Sequence, residues 1–361
     1  MLFNIERDTG AEIVGYLVPD DARSSAEIFV VADGDKLWRG VADLPIQALV
    51  QAGRHATGRC GFVISETALP GLTALPELTI IEAATGLVIY RRTATPTLHR
   101  RVLRLETRLR PTLKRDTVLG RTFSRVYLEI DQHGAETTAQ LFLLNDAPSL
   151  YLAGRLQTRA HEHDLGRGFE VAVAVRDPLE ELAERLLILS GALGPINALL
   201  SERDRMIYGP AIQALDGVDL QDARARRRCF RNLRTEVATA LSNPLARQLT
   251  TMRPDELCSG DAVSGALRTL AGFDLVTLDE CDLADRALSQ WLSALAPIAS
   301  GGGGEMGLIA EIADDLAHFR AVEAMLEIDL EVHANVAAVI DAVAARAIQA
   351  ASIAASDSTS Q

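Results

Sequence analysis

The sequence predicts a mixed α/β protein, a short parallel sheet flanked by helices and preceded by a small all-β sandwich. Three observations predict it. Residues 11 to 92 are short runs rich in Val, Ile and aromatics, separated by Pro, Gly and Asp turns. From residue 126 the pattern becomes strand, tight loop, helix, and repeats, which implies parallel strands joined by right-handed crossovers. Between the two patterns lies a stretch crowded with arginine. A length of 361 residues favours two domains. The expected organisation is a β-sandwich at 1–95, a basic linker at 96–121, an α/β domain at 122–350 and a disordered tail at 351–361.

In the first domain the expected strands are Glu12 to Leu17, Ala26 to Ala32, Leu37 to Val41, Gly61 to Ser65, Leu78 to Glu82 and Gly86 to Tyr90. Only Leu44 to Ala52 reads as a helix. In the linker, Val102, Leu105 and Leu109 recur at helical spacing, so an amphipathic helix ended by Pro111 is expected. In the second domain, Val126 to Ile130 reads as a strand. The polar turn Asp131 to Glu136 follows, and a helix begins near Thr137. Ser149 to Leu156 is apolar. Phe169 to Val175 is continuous enough to be a strand buried on both faces. Arg176-Asp177-Pro178 then starts a helix over Leu179 to Leu193, with Pro in the first turn and glutamates beside it. Residues 194 to 256 are helical, Phe273 to Leu278 is a further strand, and Asp285 to Leu295 and Glu311 to Ile348 are helical. Ser300 to Gly304 is a linker without the GK[ST] of a phosphate-binding loop.

Composition excludes several functions. A net charge of −13 argues against bulk nucleic-acid binding. No apolar run reaches a membrane span and no signal peptide is visible, so a cytoplasmic protein is expected. The four cysteines are far apart and form no CxxC, so no metal site is expected. Lysine occurs only at Lys36 and Lys114, so arginine or histidine must take any cationic role after residue 114. Arg224, Arg227, Arg228 and Arg231 share one helix face, which with the linker arginines offers a surface for a protein partner or an anionic glycan; a solvated helix is the commoner meaning of such a run. His161 and His163 read as surface groups rather than metal ligands.

The stretch SRVYLEIDQHGAETTAQLFLL, from Ser124 to Leu144, places a strand, a loop and a helix start together, and the first amides of a helix favour an anion. Residues 122 to 340 resemble the nucleotide-dependent sulfotransferases of the carbohydrate-modifying type. The matching pieces are the loop Gln132-His133-Gly134-Ala135-Glu136-Thr137-Thr138, the triplet Arg176-Asp177-Pro178, the strand from Phe273 to Glu280, and Ile328 to His333. Val14, Gly15, Pro19, Asp33, Gly34, Ala42, Gly61 and Phe62 resemble the accessory β-sandwich beside bacterial glycosyltransferases and carbohydrate sulfotransferases. The resemblance implies a P-loop-type sulfotransferase-like fold with PAPS or PAP as cofactor. Gly134, Thr137 and Thr138 would hold the phosphosulfate, Arg176 would hold the 3′-phosphate, and His133 or Glu136 would be the base nearest the acceptor hydroxyl. The chain departs from that family at three places. His133 stands where the loop has Arg or Lys, Glu136 brings a negative charge into it, and Glu184 occupies the position of the serine that binds the 3′-phosphate. Two functional expectations follow: sulfuryl transfer from PAPS to a hydroxyl of a bacterial surface polysaccharide, or an inactive scaffold that binds a glycan, an anionic small molecule or a partner protein.

Overall fold

The computed structural model of the chain describes residues 1–93, 98–110, 112–143, 148–292 and 305–358. Two compact units are present, and neither is continuous in sequence. Unit 1 is Met1–Leu103, Asp116–Ala153 and Asp164–Glu170; unit 2 is Arg104–Arg115, Gly154–His163 and the chain from Val171 onward.

Unit 1 opens with eight strands: β1 (Leu2–Asp8), β2 (Glu12–Val18), β3 (Glu27–Ala32), β4 (Asp35–Val41), β5 (Leu44–Pro45), β6 (Arg59–Ser65), β7 (Leu78–Glu82) and β8 (Val88–Arg92). They form two four-stranded sheets, ordered β1-β2-β6-β5 and β4-β3-β7-β8. Every pairing within them is antiparallel. Burial alternates along the strands: Phe3 and Ile5, Ile13 and Leu17, Ile28 and Val30, and Leu78 and Ile80 are inside while their neighbours are less covered. This is the period of two that one buried sheet face imposes. β1 lies before the first strand expected from sequence, and its Phe3–Ile5 alternation was the available signal. The helix expected over Leu44 to Ala52 is confined to Gln47–Gln51, because Leu44 pairs with Gly61 on β6. Gly15 sits mid-sheet because a Cβ there would lie 2.6 Å from the Asn4 carbonyl oxygen.

Five further strands, β9 (Arg101–Leu105), β10 (Arg125–Tyr127), β11 (Leu150–Gly154), β12 (Glu170–Val175) and β13 (Leu275–Leu278), form a sheet in the order β10-β11-β9-β12-β13. The β10–β11 and β12–β13 pairs are parallel. The helix expected through Val102 and Leu105 is instead β9. Val102, Leu103 and Leu105 are all buried, and a strand covered on both faces loses the alternation that separates it from a helix. The expected linker region thus holds β9 and a helix, Leu113–Gly120. Pro111 and the Ser300–Gly304 run lie outside the described residues. β10 is shorter than the strand expected over Val126 to Ile130, as suits its place at the sheet edge.

Unit 2 is mainly helical. The Pro178–Leu189 helix starts as its sequence dictates, with Asp177 Oδ1 accepting from the Leu179 and Glu180 amides at 2.8 and 3.1 Å and Pro178 in the first turn. Its Leu182, Leu186 and Leu189 share a core with Ile312 and Leu316 of the Glu305–Ala317 helix and with Val322 and Leu326 of the Arg320–Ser358 helix. The helical stretch after residue 194 resolves into short helices, among them Gly209–Leu215, Ala223–Arg231, Thr235–Leu241 and Pro244–Thr250. The last helix continues through the residues expected to be disordered, up to Ser358, where abundant alanine favours helix. No described helix is long and apolar enough to cross a membrane.

Candidate functional site

The loop after β10 is built from a sharp local bend. Glu129 takes a left-handed backbone conformation, with φ at 51°, which costs a residue with a side chain about 1 kcal/mol. A 3₁₀ turn follows at Ile130–Gln132, and the helix begins at Ala135 rather than near Thr137. Gly134 is its N-cap in an extended conformation, and a Cβ there would meet nothing within 4 Å. Neither contact nor backbone conformation therefore demands glycine at that position.

Both threonine hydroxyls of the loop are engaged by the protein itself. Thr137 is buried, and its Oγ1 accepts from the Met1 nitrogen at 3.0 Å; the same nitrogen is paired with Asp20. Thr138 Oγ1 donates to the Ile130 carbonyl at 3.2 Å and lies 3.3 Å from the Gly134 carbonyl. These contacts fasten the loop to its own unit. Glu136 is exposed. His133 is half-buried, and burial depresses its pKa below 6.5 against a partial counter-effect of Asp131. At neutral pH its imidazole is uncharged.

His133 lines a cleft of ≈ 490 Å³ within unit 1, together with Arg91, Arg121, Glu129 and Gln132. Arg91 and Arg92 are neighbours on β8, so they project to opposite faces. Arg92 is spent on structure: it reaches Asp8 through Nη2 and Nε at 2.6 and 2.8 Å, and the Leu72 carbonyl at 2.9 Å. Arg91 and Arg121 have no side-chain hydrogen bond or ion pair among the described residues. Gly120, just before Arg121, is tight for a reason, since a Cβ would sit 2.9 Å from Val126 Cγ1 of β10. Sequence reading counted Arg91 and Arg121 only as part of a basic run. Nothing local marks which members of such a run will lack a carboxylate.

Arg176 belongs to unit 2. It lies at the carboxyl end of β12, the edge at which open α/β sheets hold ligands. Its guanidinium is held by carboxylates of the fold. Nη1 meets Glu184 directly and Glu181 at 3.4 Å, and Nε lies 3.5 Å from Glu180. Glu184 also receives Arg108 at 2.6 and 3.1 Å. Burial pushes the Glu184 carboxyl up, but Arg108 and Arg176 more than offset it and hold it below the ordinary value. Glu181 goes the other way: burial raises it, and Arg185 and Arg176 only partly counter that.

The network continues along the strand ends of unit 2. Arg185 donates to Glu181 at 2.6 Å, to Tyr208 Oη at 2.6 Å and to the Thr107 carbonyl at 3.1 Å. Glu106 accepts from Arg104 at 2.9 Å, from the amides of Thr107, Arg108 and Thr112 at 3.0 to 3.1 Å, and from Thr112 Oγ1 at 2.8 Å. Burial alone would raise Glu106; Arg104, with Arg108 and the Thr112 amide, brings it to about 2. Arg115 spans Asp285 and, at 3.0 Å, Asp279. Chemically this is a frame in which each arginine is held by carboxylates. A separate buried carboxylate, Asp329, accepts the Leu245 and Ala246 amides at 2.9 and 2.8 Å, and burial raises it to about 6 despite those bonds.

Compared with family models, curated proteins and solved structures, the chain shows no significant match. Its site must be read from its own residues.

The remaining candidates fall into place by contacts. Arg226, which sequence reading passed over, is fully buried and joins Asp315 at 2.7 Å, Glu311 at 2.8 Å and the Leu220 carbonyl at 2.9 Å. Arg227 also reaches Asp315 at 2.9 Å, while Arg224, Arg228 and Arg231 are exposed. His161 and His163 fall in a 3₁₀ turn and a helical turn. Among the described residues, no three His, Cys, Asp or Glu side chains come together to hold a metal ion.

Proposed function

We propose that this chain is a binding protein that recognises an anionic ligand without transferring a group to or from it. The observation that carries the reading is the state of Arg176. The residue expected to take the 3′-phosphate of PAPS is 9 % exposed and neutralised by Glu184 and Glu181. A nucleotide would have to displace buried carboxylates from a guanidinium that already has them, and breaking such a pair typically costs 3–5 kcal/mol. The loop threonines support the same reading, because both hydroxyls already have partners in the fold.

The frame of parallel strands and helices fits a relative of the sulfotransferases in which the phosphosulfate chemistry has given way to recognition. One observation favours retained catalysis as a second reading. His133 is neutral and cleft-facing, so it has the state of a general base. It would take the proton of a glycan hydroxyl as that oxygen attacks the sulfur of PAPS and PAP departs. Titration with PAP separates the two. No binding of PAP and no turnover of PAPS supports recognition; tight binding of PAP counts against it. Steady release of PAP that His133→Ala reduces by about a hundredfold or more overturns it.

A further inference from the structure

We infer that the unit 1 cleft between β8 and the loop after β10 is a site for an anionic sugar, a saccharide carrying a sulfate, phosphate or carboxylate group. This rests on the reading of the chain as a binding protein and names its site and ligand class. The cleft sets two guanidiniums, Arg91 and Arg121, against one carboxylate, Glu129, with His133 uncharged. In a chain of net charge −13, such a cluster is the inverse of its background. A guanidinium presents a planar fork that matches sulfate, phosphate and carboxylate alike, so the group itself is left open and the class is shared.

The rest of the wall suits hydroxyls. Thr79 and Thr117 line the cleft, and neither hydroxyl has a partner among the described residues. Gln132 donates its amide to Glu129 at 2.5 Å, which fixes the amide so that its carbonyl oxygen is left to accept. Leu87, Val88, Val126 and Leu128 supply short apolar patches of the kind that a sugar ring covers. The cleft also argues against a nucleotide. Its one phenol ring, Tyr127, is 2 % exposed, and its Oη lies 3.4 Å from the Ile89 carbonyl, so that ring offers no face for a base to stack on. At ≈ 490 Å³ the cleft has the size of a small-ligand site rather than a polymer groove. One charged residue of a longer glycan would fit it.

The test is calorimetric titration of the full chain at low salt with glucose 6-sulfate, glucose 6-phosphate and glucuronate. Glucose, inorganic sulfate and PAP are the comparisons. At least one charged sugar is expected to bind about tenfold or more tightly than glucose, inorganic sulfate and PAP. Arg91→Ala and Arg121→Ala are each expected to weaken that sugar by about tenfold, with unchanged thermal unfolding to show that the fold is kept. Thr117→Val is expected to weaken the sugar esters while leaving inorganic sulfate as it was. Inorganic sulfate binding as tightly as every sugar ester would show an anion site with no sugar specificity and overturn the proposal. So would PAP binding more tightly than any sugar, charged sugars that bind the double arginine variant like the parent, or no binding of any charged sugar up to millimolar concentration. PAPS turnover is measured alongside. Its presence would sink the non-catalytic reading without touching the arginine result, so the two failures are distinguishable.

Discussion

In unit 2, Arg104, Arg108, Arg115, Arg176 and Arg185 each meet carboxylates at the ends of the strands. In unit 1, Arg91 and Arg121 line an open cleft and meet none among the described residues. The residue type is the same and the consequence is opposite. A buried guanidinium ringed by carboxylates is part of the frame, and its removal strands the charge it balanced. A guanidinium left at a cleft wall is available, and its hydration is easily exchanged for an anion. The lesson is that position at the carboxyl edge of a sheet does not by itself make a ligand site; the sum of charges already there decides.

The largest test of that contrast is stability. Arg176→Ala is expected to lose about 3 kcal/mol in denaturant unfolding, because Glu184 keeps only Arg108 and Glu181 keeps only Arg185. Arg91→Ala should stay within about 0.5 kcal/mol of the parent. If both variants unfold alike, the division between frame and site is wrong.

Acid titration probes the frame next. Glu106 sits at about 2 in the fold against an ordinary 4.5, so its contribution is present above pH 4.5 and disappears as pH falls towards 2. The difference is worth roughly 3 kcal/mol, and Glu106→Gln should flatten that part of the curve in urea unfolding. Asp329 bends the curve the other way. Its folded value of about 6 lies above the ordinary 3.8, so the fold binds the proton more tightly than the unfolded chain does. Stability from this group therefore falls as pH rises from about 4 to about 6, by somewhat under 3 kcal/mol. Asp329→Asn should remove the fall when unfolding is compared at pH 4 and pH 6.5.

The smallest effect concerns the loop. Thr137→Val loses the bond to the Met1 nitrogen and should cost about 1 kcal/mol. It should leave ligand affinity unchanged. A loss of affinity without a loss of stability would return the loop to the binding site.

The strands β2, β3, β4, β6, β7 and β8 of unit 1 were legible because alternating apolar residues are bounded by Gly, Pro and Asp turns. The start of the Pro178–Leu189 helix was legible because its cap lies within three residues of its first turn. β9 was not, since four of its five side chains are buried without alternation. The candidate site shows the same divide. The loop from His133 to Thr138 was located, but its hydroxyl partners are set by tertiary structure, with Thr137 held by a residue 136 positions away. Glu184 read as a charge of the wrong sign for a phosphate. Its reason is Arg108, 76 positions earlier, and no spacing rule in a single sequence connects them.

The interleaved build of the units bears on how the chain is made. Unit 1 needs Asp164–Glu170 to be complete, and unit 2 has claimed Arg104–Arg115 and Gly154–His163 before then. At roughly 5–20 residues per second, a ribosome presents the eight N-terminal strands well before the last piece of their unit emerges. Those strands pair locally and can form first, but β9 keeps one edge open until β12 emerges. The early chain is therefore most exposed to misassembly between about residue 100 and residue 170, and a pause or a chaperone acting in that interval would change yield more than one acting on the finished helices.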